Sequence, residues 1–420
     1  MTPATSPRSA PHRGLAALLC LLIAGAAAPL NAATPTYTLE ALIDRALAES
    51  PALATSRAQQ DEARAGLITA RALPNPEIVI EPGRLVPRLP GEPAGASTAL
   101  SLAQPIENPR LRAARSASAQ SRVGVALAET GVTQSRLVAA VRERFFELLR
   151  LRAEQQALQE DLILTEQIRD RIEVRVRAGE APRFDSLRAE GEVAGVRRSL
   201  EATRLRIREA QVGMRQLVGP SLETEFELGA SDMDSRMLEE ADFIALRRRV
   251  EDRNPEIALA REQWSAADRQ TALERTRIMP QVSIRASHEH DPAARLTRLG
   301  VQLSLPLLDR REGPIAEAIA QTERTRVALV QRRFETEAAF ESAWQAYQVA
   351  RSQVQAIEGG VLARARQVLA IAEAAYRLGE RGILEYLDAQ RQFRLVRNEL
   401  IAARFDLQRA RIELERLAGR

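Results

Sequence analysis

The chain has 420 residues, of which 28% are charged, 45% hydrophobic and 4% aromatic, and its formal net charge is +4. All 60 basic residues are arginine, which excludes any mechanism that needs a catalytic or Schiff-base lysine. A single cysteine, Cys20, excludes a disulfide framework and a cysteine-based zinc site, and only three histidines are present. The composition predicts an ordered protein without a conventional catalytic centre or bound cofactor.

The first 33 residues have the pattern of a secretory signal peptide. Arg8 and Arg13 precede an apolar stretch over 14–28, and small residues follow, so cleavage is expected after Ala32 or Ala33. A membrane anchor is disfavoured because the stretch is shorter than the ~20 residues of a spanning helix, and no later segment is long enough either. Removal of these two arginines leaves 58 basic against 56 acidic residues, a balance that predicts no nucleic-acid partner.

Two short segments with alternating apolar residues come next. Ile78 and Ile80 alternate with mostly acidic neighbours, and Leu100 and Leu102 flank Ser101, which is the period of a strand with one buried face. Neither these segments nor their later counterparts contain Phe, Trp or Tyr. Four such strands cannot close a barrel. They form either a small sheet packed on helices or one chain's share of a barrel built by several chains.

A very long helix is predicted after the strands. It is expected to begin near Pro109 and to end near Ala178, since glycine and proline follow and no proline interrupts it. At 1.5 Å per residue such a helix spans roughly 100 Å. A second one is predicted from Pro314 to Leu378, loosened at Gly359–Gly360. Helices of this length exceed what a compact domain uses, so they must pair along a seam.

The chain repeats itself with an offset of 200 residues. The turn after each long helix and the helix that follows it share their landmarks: Gly179 with Gly379, Leu187 with Leu387, Ala189 with Ala389, Val196 with Val396, Leu200 with Leu400, and Ala210 with Ala410. Segments of period two recur over 282–286 and 299–305. The sequence therefore predicts two repeats, residues 34–220 and 239–420, each a helix, two strands, a long helix, a turn and a helix.

These features resemble the TolC-type outer-membrane efflux channels. The resemblance covers essentially the whole mature chain, and its most specific parts are the two turns, Arg177–Glu180 through Asp185 and Tyr376–Gly379 through Gln390. The segments Arg71–Ile78 and Leu100–Pro105 are similar to the subgroup that serves cobalt-zinc-cadmium resistance pumps.

The resemblance implies a mainly α fold with a small β part. Three chains would form a homotrimer with a helical tube across the periplasm and a shared twelve-stranded β-barrel in outer-membrane lipid. A periplasmic membrane-fusion adaptor and an inner-membrane pump of the RND type would dock below, at the turns that carry Gly179, Glu180, Gly379 and Glu380. The resemblance implies that such a channel exports substrates passively, with heavy-metal cations as the expected substrate class, and that it is not an enzyme. The alternative is a soluble periplasmic coiled-coil adaptor or structural protein, which should show a lipoyl-like or β-barrel domain between its helices.

The resemblance also implies a gate at the inner end of the tube. Asp185 matches the position whose carboxylate links to the second turn, and Tyr376 and Arg381 match the positions that receive it. Glu385 and Asp388 lie three residues apart on one helix face, so a trimer would place them in carboxylate rings that select cations. On the residues alone, exposed helix ends with solvated charges explain the same pattern.

The segment His288–Asp291 invites comparison with a metal site. Its two histidines, His288 and His290, share one face of a strand. Without a third ligand they favour a strand-end turn before Pro292, and no metal site is predicted.

Overall fold

The computed structural model describes residues 35–86, 89–229 and 237–419. The predicted signal peptide lies outside these ranges. Within them, no helix combines the length and the apolar character needed to cross a lipid bilayer.

Each half of the chain places two helices before its strands, where the sequence predicted one. The first half contains β1 (Thr36–Tyr37), α1 (Leu39–Glu49), α2 (Pro51–Arg71), β2 (Glu77–Leu85), β3 (Gly95–Ile106), α3 (Pro109–Arg177) and α4 (Arg183–Val218). The second contains β4 (Glu227–Leu228), α5 (Glu240–Arg253), α6 (Pro255–Thr276), β5 (Gln281–His290), β6 (Arg295–Ser304), α7 (Glu312–Ala356), a π-helical turn (Ile357–Val361), α8 (Leu362–Arg377) and α9 (Ile383–Leu417).

The unpredicted break between the paired helices has a local cause. Ser50 and Asn254 each precede a proline and adopt extended backbone angles, which ends one helix and begins the next with proline in its first turn. The Asn254 side chain also accepts from the backbone N–H groups of Glu256 and Ile257, which caps α6. The parallel pair β1–β4 was missed as well, because two residues are too few to show a period.

The four longer strands form one antiparallel sheet in the order β2-β3-β5-β6. Residues directly opposite each other share a face, and the register aligns Ile78, Leu102, Ala286 and Leu299 in one row and Ile80, Leu100, His288 and Thr297 in the next. The face between these positions carries Glu77, Glu81, Arg285, Glu289 and Arg298. The predicted alternation of apolar and polar residues is thus confirmed, although Leu305 lies just beyond β6.

The predicted long helices are present. α3 runs for 69 residues without interruption, and its first turn is capped by Asn108, whose side chain accepts from the N–H of Arg110. Its counterpart is broken where the sequence predicted loosening, since α7 and α8 are joined through a π-helical turn in which Gly360 has non-helical backbone angles. Helix α3 packs on α2, α4, α6 and α9.

Among the described residues, four groups of buried residues hold the helices together, the smallest being Ile257, Ala260 and Leu329 between α6 and α7. One large cluster joins α1, α3 and α4 around Phe145 and Met214, and a second joins α5, α7 and α9 around Phe340 and Tyr347. A smaller cluster lies near the turns after α3 and α8; it is called the tip cluster and comprises Ile168, Ile172, Ala189, Ile383, Tyr386 and Leu387. Of the clusters formed by the described residues, the tip cluster alone contains residues of both repeats in comparable numbers.

Candidate gate at the helical tip

The two turns at the tip have the same backbone geometry. Gly179 and Gly379 have φ angles of 76° and 75°, in the left-handed region that glycine enters without strain. In the first turn the N–H of Glu180 donates to the carbonyl of Arg175 at 2.8 Å, and in the second the N–H of Glu380 donates to Ala375 at 2.9 Å. This is the Schellman pattern, in which glycine satisfies the last carbonyls of a helix. The predicted glycine turns are therefore present at both tips, and all four turn residues are exposed.

The start of α9 is the buried element of the tip. Ile383, Tyr386 and Leu387 lie 5%, 2% and 1% exposed, in contact with α3 and α4. Burial raises the pKa of Tyr386 to about 12, so its hydroxyl stays protonated at physiological pH. The helix is thus held at its first turn by apolar contacts with the first repeat.

Tyr376, one of the predicted latch residues, is engaged by its neighbours. Its ring stacks on Tyr386 with centroids 5.8 Å apart and an interplanar angle of 16°. The Arg175 guanidinium lies over the Tyr376 ring, 5.6 Å from the ring centroid. Tyr376 therefore links α8 to both α3 and α9.

Asp185 and Arg381 do not meet within one chain. Among the described residues, Asp185 forms no side-chain hydrogen bond or ion pair with Tyr376 or Arg381. It lies half-buried in the first turn of α4, where the helix dipole favours a carboxylate. Arg381 instead approaches Glu385 on its own helix, with Nη1 and Oε1 3.8 Å apart. A latch with this aspartate would have to form with another chain or in another state, and it stays a prediction.

The two acids predicted to line the lumen each lie near an arginine of α9. Glu385 faces Arg381, and Asp388 lies 3.6 Å from the Nη1 of Arg391. The side chains of both acids are more than half exposed, so these pairs contribute little to stability. The pairing nevertheless offsets part of the negative charge that a carboxylate ring would present to cations.

A second polar contact of α9 was not anticipated from the sequence. Glu192 of α4 accepts from both Arg391 and Arg394, the latter at 3.3 Å, and the Glu192 and Arg394 side chains are each less than one-fifth exposed. Burial alone would raise the pKa of Glu192, but the hydrogen bonds and charges of the two arginines outweigh it and hold the pKa below its ordinary value. This contact joins α9 to the first repeat on one side.

One turn further along, α9 is joined to α3 by a buried ion pair. Arg397 donates to the Asp161 carboxylate at 2.5 Å and to the Ala157 carbonyl at 3.1 Å, and Asp161 is 4% exposed. Burial raises the pKa of Asp161, and the Arg397 charge and hydrogen bond offset only part of that effect. The Thr165 hydroxyl donates to the Asp161 carbonyl and accepts weakly from Gln390. Helix α9 is therefore held on the first repeat by polar contacts with both α3 and α4 as well as by apolar contacts.

These buried charges had one visible signal in the sequence. Asp161 falls between Leu158, Leu162 and Thr165 of the apolar stripe of α3, where an acid is out of place and needs a partner. Its partner lies 236 positions later. With 60 arginines in the chain, nothing in the sequence singled out Arg397.

The two histidines lie in β5 rather than in a turn. They share a face, as predicted: His288 pairs with Thr297 through Nδ1 at 2.9 Å, and His290 lies 3.3 Å from the Nε of Arg295. In the described part of the chain, no group of three or more His, Cys, Asp or Glu side chains is arranged to hold a metal ion.

Comparison with known proteins places this architecture. The model of the family described as "Outer membrane efflux protein" matches residues 42–220 and 246–420. The cobalt-zinc-cadmium resistance protein CzcC of Cupriavidus metallidurans is 25% identical over 399 residues, covering 93% of this chain and 92% of its own. Among solved structures, CusC superposes with a TM-score of 0.78 at 18% identity, covering 92% of this chain and 93% of its own. The Vibrio cholerae protein VceC does so with 0.73 at 19%, covering 91% and 96%.

Proposed function

We propose that heavy-metal cations leave the cell through this chain, which belongs to the outer membrane efflux protein family. It is an outer-membrane channel of a tripartite efflux system, and it extends into the periplasm. The soluble adaptor weighed on the sequence is therefore set aside. The two separate stretches matched by the family model support the division into two repeats.

The two-faced sheet is the observation that carries the channel proposal. One face is apolar along most of its length, and the other carries charges of both signs. The outer strands β2 and β6 each have one neighbour within the chain, so their free edges are available for pairing with further copies. We infer that three chains close a twelve-stranded barrel, with the apolar face towards lipid and the charged face towards the lumen.

The helices also leave surfaces for further copies. Helix α4 exposes Phe184 and Leu205 to 64% and 60%; α8 exposes Ile371 to 62%, and Leu378, directly after α8, is 75% exposed. These helices flank the chain's own helical array, since α4 packs mainly on α3 and α8 mainly on α9. Apolar side chains at both borders favour a closed homotrimeric tube in which α4 of one chain meets the second repeat of the next.

The proposed mechanism is passive. The tip closes the tube, an adaptor bound at the exposed turns shifts α8, and cations then pass from the pump to the exterior without chemistry by this chain. Heavy-metal cations are proposed as cargo because the relative that aligns with nearly the whole chain is named for cobalt-zinc-cadmium resistance.

Deletion of the gene tests this proposal. In a strain without paralogous channels, growth inhibition should occur at lower concentrations of cobalt, zinc or cadmium, and cellular metal content should rise. The wild-type gene should restore tolerance, whereas a version whose strand residue Val301 is changed to Asp should not, because a charge on the apolar face opposes membrane insertion. Unchanged tolerance to all three metals would refute the cargo. Membranes that yielded only monomers or dimers on crosslinking would refute the trimer.

A further inference from the structure

The apolar face of the sheet changes character at one end. All four strands connect to helices at the end marked by Ile106, Val282 and Leu303, and the hairpin loops lie at the opposite end. From Ile106 to Leu100 this face is mostly apolar over about 20 Å along the strand. Beyond that band, towards the loops, polar residues take over.

The side chains at the loop end are basic or neutral. His290 and Arg295 lie opposite each other, His288 is one row nearer the helices, and Arg84 is one row nearer the loops. No acidic residue shares this face within the four strands, because Glu77, Glu81 and Glu289 all lie on the other face. All four of the basic and imidazole side chains are exposed. Although they lie in three successive rows of the sheet, these four residues are together called the basic row.

The arginines of the basic row lack the carboxylate partner that an arginine on the other face has. Arg298 donates to Glu289 at 2.9 Å across the charged face. Arg295 contacts the His290 ring, and within the described residues neither Arg295 nor Arg84 forms an ion pair. Asp291 is nearby, but its carboxylate accepts from the N–H groups of Ala293 and Ala294 within the hairpin turn. The basic row therefore presents unneutralised charge beside an apolar band.

We propose that the basic row binds phosphate-bearing lipid headgroups at the outer edge of the membrane. The inference rests on the proposed function, in which the apolar face meets lipid and the helices point into the periplasm. Guanidinium groups bind phosphate oxygens through paired hydrogen bonds, and the apolar band below accommodates the acyl chains. The ligand is thus matched in both halves, with anionic head above and hydrocarbon below.

The row also explains a missing feature of the sheet. Membrane-spanning strands are usually fixed in depth by aromatic residues at both interfaces. Strands β2, β3, β5 and β6 contain no Phe, Trp or Tyr. A row of headgroup contacts fixes the depth of the outer edge without aromatic side chains.

Lipid binding by the purified full-length protein in phosphatidylcholine nanodiscs tests the proposal. The probe is fluorescent diphosphoryl lipid A, and the variant is the double substitution R84Q/R295Q. Loss of both arginines should weaken binding roughly 25-fold, at about fivefold for each charge removed. The matched control R298Q removes an arginine from the charged face of the same sheet and should leave binding unchanged. Equal weakening in R298Q would overturn the proposal.

Two further arms identify the ligand. Lipid A without phosphates should bind the wild-type protein as weakly as diphosphoryl lipid A binds the double variant, and equal binding of both lipids by the wild type would overturn the proposal. Inorganic phosphate should displace the probe poorly, since it lacks acyl chains. Full displacement by phosphate would assign the row to a free anion instead.

Failure of the proposed function gives a different result. Because the chain's single cysteine, Cys20, lies in the predicted signal peptide, the mature protein can be labelled at one site: a fluorophore at V301C should be quenched by lipids that carry a nitroxide on their acyl chains, whether or not the arginines are present. No quenching at residue 301 would show that the face does not meet lipid, which refutes the proposed barrel. Quenching without phosphate selectivity would refute only the basic row.

Discussion

The two repeats share a plan but differ in continuity. In the first, α3 is one helix of 69 residues, buried along its length against α2, α4 and α6. In the second, the matching stretch is divided by a π-helical turn, and the part beyond it, α8, has no buried residue at all. Duplication thus produced one rigid hairpin and one that is held loosely near the tip.

Helix α9 connects these two behaviours. Its first turn is buried in the tip cluster, and its arginines reach Glu192 and Asp161 of the first repeat. Helix α8 reaches the first repeat mainly through Tyr376 and its neighbours in the tip cluster. Because α9 is anchored to the first repeat and α8 has no buried residue, we expect α8 to be the mobile part of a gate and α9 to oppose its movement.

We expect the largest change in stability when Arg397 is replaced, and a much smaller one for Arg197, its equivalent in the first repeat. R397A leaves the Asp161 carboxylate buried without its partner and should lower the free energy of unfolding by about 3 kcal/mol. R197A, 200 positions earlier, removes an exposed pair with Glu166 and should lower it by less than about 1 kcal/mol. Thermal unfolding followed by circular dichroism measures both. Similar losses in the two variants would show that α9 is not specially anchored.

The next largest effect separates the two turns. If Arg381 joins a neighbouring chain in the closed state, R381S should shift the population towards open by up to about two decades, as loss of a charge-assisted bond allows. R183S, beside the first turn, is the control for loss of an arginine at the tip. Single-channel conductance in planar bilayers is the measurement.

Replacement of both Glu385 and Asp388 by Ala should instead weaken cation preference with little change in opening. Opening in the acid variant alone would reverse these assignments.

A smaller effect concerns the break itself. Gly360 has φ 159° and ψ −25°, a conformation that disfavours alanine, and nothing lies within 4 Å of an added Cβ. G360A should therefore favour one continuous helix by about 1 kcal/mol and slow amide exchange in α8 about fivefold. G359A, next to it and without a positive φ, should not straighten the helix. Identical exchange in the two variants would contradict a role for the break in loosening α8.

The smallest effect is the pH dependence of the two acids that hold α9. The pKa of Glu192 is lowered in the folded state, so its contribution is present above the ordinary value of 4.5 and is lost as pH falls below it. The pKa of Asp161 is raised, so its contribution is present below 3.8 and is lost as pH rises. In E192Q, the free energy of unfolding should fall less as pH is lowered from about 6 to about 3. In D161N, it should fall less as pH is raised from about 3 to about 6. Melting temperatures between about pH 6 and pH 3 test both signs. Parallel profiles for the two variants would refute them.

Much of the fold could be predicted because its signals are local. Proline and glycine mark the ends of the long helices and both tip turns, and period two marks the strands. The break before Pro51 and the β1–β4 pair were missed because one lies within a continuous helical pattern and the other is too short. The contact of Arg397 with Asp161 depends on how α9 packs on α3, a helix far away in the sequence. The spacing of residues along the chain does not encode this packing. The latch and ring assigned to Asp185, Tyr376, Arg381, Glu385 and Asp388 stay predictions.

The two turns are 200 residues apart in the sequence and lie together at the tip, so the length of the long helices sets the distance from the sheet to the tip. Each hairpin must descend the same distance from the sheet for Gly179 and Gly379 to arrive at one level. Deletion of seven residues from only one long helix would separate the turns by roughly 10 Å, beyond repair by side chains. Matched deletions in all four helices that reach the tip would shorten the span yet keep the turns together. Insertions and deletions in this molecule should therefore occur together in all four of these helices, and the span of the periplasm can change in evolution without redesign of the tip.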